Sequence, residues 1–122
     1  MTGAQDKIRN AVSEWNGVTV HPHRFGGIEF RLGKRELGHI HGDSLLDIPF
    51  PMATRHELVN SYRVQPHHVL PESGWISFYI KTENDIQEGI ELLRLSFDIA
   101  QKSQRDALQR RKLPAISEQN KK

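Results

Sequence analysis

Apolar residues at the start of the chain recur at helical spacing. Ala4, Ile8, Ala11, Val12 and Trp15 form one stripe, which predicts a helix over residues 4–15. Thr2-Gly3-Ala4-Gln5 has the form of a capping box with Thr2 as N-cap. Asn16-Gly17 closes the helix. The period then falls to two. Val18-Thr19-Val20-His21 alternates, and Pro22 confines that strand to a sheet edge or a strand end. Ile28-Glu29-Phe30-Arg31-Leu32 alternates apolar with charged residues. Gly33-Lys34 suits a type II′ turn, and residues 35–41 return as the partner strand. An unbroken register sets Arg31 opposite Glu36, Phe30 opposite Leu37 and Ile28 opposite His39. That register sends His39 and His41 to the core-facing side with Leu37.

Leu46, Ile48 and Phe50 mark a further short strand, and Pro51 opens a short helix over residues 52–61. Residues 63–74 are irregular, with Pro66 and Pro71 flanking His67-His68. Residues 75–80 form a strand with Ile76, Phe78 and Ile80 on one face and Trp75, Ser77 and Tyr79 on the other. A long helix follows, capped by Thr82 or Asn84, on the stripe Ile86, Ile90, Leu93, Phe97, Ala100. Leu92 and Leu95 widen that stripe enough to cover a sheet. Gly89 inside the helix costs about 1 kcal/mol relative to alanine, so a close approach to a strand is expected there. Residues 101–111 can continue the helix, Pro114 ends it, and the last residues are expected to be disordered.

The order of elements predicts an α+β fold. An antiparallel sheet is covered by an N-terminal helix and a long C-terminal helix as a two-layer sandwich. Residues 1–100 make a single domain and residues 101–122 a basic, partly disordered extension. The net charge of +2 belongs to that extension, which carries seven Lys/Arg against two acids. The preceding hundred residues carry ten against thirteen, so nucleic acid is not expected on the folded body. No apolar run approaches the roughly 20 residues of a membrane helix, and the N-terminus lacks the apolar core of a secretory signal. The chain has no cysteine, which excludes disulfides, zinc–thiolate sites and cysteine nucleophiles. A cytoplasmic location is expected.

Six of the seven histidines form the pairs His21/His23, His39/His41 and His67/His68. Alternation along a strand turns both imidazoles of a His-x-His pair to one side, where they can meet one metal ion. His67, His68, Glu36 or Asp43 could add a ligand. The His-x-His-x3-Glu pattern of double-stranded β-helix enzymes is absent, because Leu45 stands four residues beyond His41. The competing reading is structural: these imidazoles bond neighbouring carbonyls, and His39 sits satisfied in the interior. There is no Gly-x-Ser-x-Gly elbow for a serine nucleophile. Gly26-Gly27 precedes a strand, not a helix, and so makes a poor phosphate cradle. Trp75 and Phe25 could stack on a planar ligand.

The phrases HPHRFGGIEFRLGKRELGHIHGD, DIPFP, RHELV, PHHVLPESGWISF and LLRLSF, spread over residues 15–98, resemble the luciferase-domain family. The family name implies light emission, but adenylating and flavin-type bioluminescent enzymes are far larger chains, so the resemblance carries over no catalytic residue. The order of elements is also similar to the small MmcQ/YjbR-like α+β domains, related in fold to frataxin-like proteins. These readings converge on a small-ligand-binding module, a metal ion being one form of that ligand. His21, His23, Arg24, His39, His41, His67, His68 and Trp75 would line its site. The alternatives are an interaction or homodimerisation module without chemistry, and an enzyme with a histidine general base. The sequence names no catalytic residue, metal or cofactor.

Overall fold

The computed structural model describes residues 2–112. Helix α1 (Ala4–Val12) leads into strand β1 (Val18–Pro22) and a 3-10 turn at Arg24–Gly26. Strands β2 (Ile28–Leu32), β3 (Arg35–His41) and β4 (Leu45–Pro49) follow, then helix α2 (Met52–Asn60). The short strand β5 (Gln65–Pro66), strand β6 (Trp75–Tyr79) and helix α3 (Glu83–Lys112) complete the fold. The six strands form one antiparallel sheet in the order β1-β2-β3-β4-β6-β5. Helices α1 and α3 pack together against one face. This is the expected α+β arrangement, with Pro22 on an edge strand. Helix α3 runs on to Lys112, and the expected disordered end lies outside the described residues.

The core lies between the sheet and the two helices. Phe30, Leu37, Ile40, Leu46, Ile48 and Ile76 face Ile8, Val12, Leu92, Leu93 and Phe97, all essentially inaccessible to solvent. Burial on this scale, at about 25 cal/mol per Å2 of apolar surface, is the main force joining the two layers. Gly89 explains how closely they approach. A Cβ there would stand 2.6 Å from Leu46 Cδ1, so the helix tolerates glycine's entropic cost to sit close against β4. Thr82 Oγ1 accepts from the Asp85 amide, and Asp85 accepts from the amides of Lys81 and Thr82. This reciprocal cap starts α3 at Glu83.

Three expectations fail. Thr2 does not cap α1: Gly3 holds the N-cap position, and the Gln5 amide donates to Asp43 Oδ1 at 2.9 Å. A tertiary contact replaces the local box and takes Asp43 away from the histidines. Helix α1 also ends at Val12, and Trp15 follows it as a turn residue packed on Phe97. The irregular stretch before Trp75 holds strand β5, too short to show a period.

The larger correction concerns register. The turn at Gly33 (φ +64°) sets Leu32 opposite Arg35 and Arg31 opposite Glu36, as expected. A β-bulge at Leu37-Gly38 then shifts the ladder, so that Phe30 pairs with Gly38 and Glu29 with His39. Both bulge residues face α3: Leu37 is fully buried, and a Cβ on Gly38 would lie 2.8 Å from Leu93 Cδ2. The bulge leaves the Leu37 carbonyl without a ladder partner, and Ser96 Oγ of α3 donates to it at 2.8 Å. The extra residue reverses the alternation beyond it. Ile40 takes the core side, and His39 and His41 leave it for the opposite face.

Candidate functional site

On the face away from the helices, a single row of paired residues crosses the sheet. It runs through His21, Glu29, His39, Asp47 and Ser77 to Gln65. Asp47 stands in the middle of it. Its neighbours Leu46 and Ile48 face the core, so strand alternation turns the carboxylate outward, where only 1 % of it is exposed. The loop before β6 folds over this face and brings His67 and His68. The turn at Arg24–Gly26 brings His23 from the other side.

Five side chains converge on that carboxylate. Ser77 Oγ donates to Oδ1 at 2.8 Å. Around Oδ2 stand four imidazole Nε2 atoms: His41 at 3.0 Å, His68 at 3.1 Å, His39 at 3.3 Å and His67 at 3.5 Å. Burial opposes the Asp47 anion, but the hydrogen bonds from His39, Ser77 and His68 hold its pKa well below the usual carboxylate range.

The far sides of the rings are also anchored. His39 Nδ1 lies 2.6 Å from Glu36 Oε2, a contact that the bulge makes possible by putting residues three apart on one face. His23 Nδ1 lies 2.9 Å from Glu29 Oε1, and Arg31 donates to the other oxygen of Glu29 at 2.7 Å. Burial disfavours the Glu29 anion, yet these bonds from His23 and Arg31 bring its pKa below the ordinary value. Burial likewise disfavours charge on His39, and its bonds to Asp47 and Glu36 more than offset that, lifting its pKa to about 9. His67 goes the other way. Burial pushes its pKa down, assisted by the like charge of His68 and His39. His67 Nδ1 accepts from the amides of Val69 and Leu70, so the neutral ring carries its proton on Nε2, facing Asp47.

The rings pack against one another. His23 stacks on His39 with centroids 3.9 Å apart, and His67 stacks on His68 at 4.4 Å. Trp75 lies against His39 and His67. They floor an open cleft of about 560 Å3, whose walls include Arg24, Phe25, Val69, Leu70 and Trp75. The donor atoms of His23, His39 and His41 lie within 4.8 Å of one another, as do those of His41, Asp47 and His68. Such a cluster could hold a metal ion.

Residues 34–96 match the family model described as the luciferase domain. The chain belongs to the luciferase-domain family. No curated protein and no solved structure matches it, so the likeness to MmcQ/YjbR-like domains rests on the order of elements alone. The segment matched to the luciferase domain contains Glu36, His39, His41, Asp47, His67, His68 and Trp75, while His23 and Arg24 precede it.

Of the eight residues expected to form a site, the structure gathers seven around this cleft. His21 is the exception. It lies one strand out on the same face, where Nε2 meets Thr19 Oγ1 at 2.7 Å. The sequence reading missed Asp47, Glu29 and Ser77. A signal for Asp47 existed: an acid flanked by Leu46 and Ile48 in a strand must either meet solvent or find partners on the second face. No helix among the described residues is long and apolar enough to cross a membrane.

Proposed function

We propose that this luciferase domain is a metal-binding module, with one ion held by His39, His41, His68 and Asp47 and with His23 beside it. One observation carries the reading: four imidazole nitrogens stand within 3.5 Å of Asp47 Oδ2. A carboxylate oxygen has two lone pairs and cannot accept from four N–H groups in good geometry. A cation among the rings relieves the crowding, because neutral imidazoles then turn lone pairs, not protons, toward the centre. The outer contacts fit that use. Metal-bound histidines usually donate their other N–H to a carboxylate, as His39 can to Glu36. His67, its Nε2 bearing a proton, is a donor that orients Asp47. An imidazole-rich set with one carboxylate favours zinc or a first-row transition metal over magnesium or calcium.

The test is metal analysis and calorimetric titration of the full chain, expressed without a histidine tag. About one zinc or cobalt ion per chain is expected, with retention lost in His41→Ala and in Asp47→Asn. Wild-type protein that holds no more metal than these variants would overturn the proposal.

A second reading has its own support. Phe25, Val69 and Leu70 are 98, 67 and 51 % exposed at the cleft mouth, and a second copy of the chain could cover them. Sedimentation across concentration tests this: a dimer that Val69→Asp abolishes supports it, and a monomer throughout refutes it.

A further inference from the structure

The cleft over the histidines has a chemical bias of its own. Two of its features have no partner among the described residues. Arg31 is engaged by Glu29, whereas Arg24, at the cleft wall, forms no ion pair among the described residues. Phe25 beside it is 98 % exposed and adopts φ +57°. That left-handed conformation costs a residue with a Cβ about 1 kcal/mol or more, and here no packing of its ring offsets it. The turn that imposes it is pinned, since a Cβ on Gly27 would meet the Ile40 carbonyl at 2.7 Å. The turn thus holds at the cleft a guanidinium and a ring without partners among the described residues, with the apolar Val69, Leu70 and Trp75 lining the same cleft.

We propose that the cleft binds a small organic carboxylate with an apolar body. The inference rests on the metal reading above. The carboxylate would pair with the Arg24 guanidinium beside the proposed ion, and the apolar body would lie between Phe25, Leu70 and Trp75. Charge balance agrees with a monoanion. Glu29, Glu36 and Asp47 face a divalent ion, Arg24 and Arg31, which leaves one positive charge over. The size agrees as well, because a cleft of about 560 Å3 lies within the usual range for small-molecule sites.

The test compares 4-phenylbutyrate with 4-phenylbutanol by calorimetry on zinc-loaded full-length protein, with bound zinc measured in every sample. The carboxylate is expected to bind at least about tenfold more tightly than the alcohol, since it alone makes charge-assisted contacts. Arg24→Gln should lose about that factor for the carboxylate and leave both zinc content and alcohol binding unchanged. Phe25→Ala should weaken both probes together. Equal binding of acid and alcohol by zinc-loaded protein, or an Arg24→Gln variant that binds the acid like wild type, overturns this inference alone. Protein that takes up no zinc overturns the metal reading and this inference with it.

Discussion

His39 and Asp47 are direct partners across strands β3 and β4, and imidazole Nε2 stands 3.3 Å from carboxylate Oδ2. Both side chains are buried, on the sheet face that carries no long helix. With Glu36 bonded to its Nδ1, His39 lies between two carboxylates. On the proposed function, this pairing contributes to the stability of the metal-free protein and shapes its expected response to metal.

Removing the charge of Asp47 should be costly without metal. Asp47→Asn keeps the shape but takes away the anion that the surrounding imidazoles and Ser77 address. Breaking a buried ionic cluster from one side costs about 3 kcal/mol. Urea denaturation of the metal-free protein should show that loss, and a variant as stable as wild type would refute this view of the cluster.

On the proposed metal reading, Glu36 would position His39 through its Nδ1. Glu36→Gln should leave the fold intact and lower zinc affinity about tenfold or more, the usual effect of losing a carboxylate behind a metal-bound histidine. It should also lower the pKa of His39 in the metal-free state, seen by NMR titration. A structural role alone would move neither quantity.

Metal affinity should rise with pH. His39 titrates near 9 in the folded, metal-free protein, so below that value a proton competes for the nitrogen the ion needs. Between pH 6.5 and 9 the apparent zinc affinity should climb by up to about tenfold per unit, on this group alone. The stability of the metal-free protein should run oppositely. A raised histidine pKa contributes stability that is complete below the unfolded value of about 6.5. That contribution disappears as pH rises through 9, with a slope of at most about 1.4 kcal/mol per unit. Denaturation midpoints from pH 6.5 to 9.5, with and without zinc, check both signs.

Gly89→Ala should destabilise despite alanine's better helix propensity. The new methyl would lie 2.6 Å from Leu46 Cδ1, and Leu46 is fully buried with little room to yield. Overpacking of this kind costs about 1–3 kcal/mol, more than the roughly 1 kcal/mol gained in propensity. A higher melting temperature would show that the layers can part.

The capping of α1 separates local from tertiary control. Asp43→Ala should cost about 1 kcal/mol by removing the acceptor for the Gln5 amide, while Thr2→Ala should cost almost nothing. The reverse order, measured by thermal denaturation, would restore the local capping box.

Local pattern made most of the fold legible. The stripe through Ile86, Leu93 and Phe97 can bury only one face of a helix, and Ile76 and Phe78 only one face of a strand. The α+β class therefore follows from periodicity. The Gly33-Lys34 turn was equally readable, because a two-residue hairpin needs positive φ at its first position. His-x-His spacing likewise fixed that His39 and His41 share a side.

Which side they share was decided by tertiary structure. A strand's alternation holds only until a residue is inserted, and the bulge at Leu37-Gly38 reverses it. The glycine hinted at the break. Its placement depends on Leu93 packing against Gly38 and on Ser96 taking up the Leu37 carbonyl, contacts from a helix more than fifty residues away. Asp47 is the second case. In the sequence it is one acid between two core residues. It becomes the centre of the site because three strands and two loops carry His39, His41, Ser77, His23 and the His67/His68 pair to the same patch of sheet surface. The sequence alone supplied the imidazoles and the faces on which they could lie. Convergence on one carboxylate is a property of long-range packing, which no local spacing encodes.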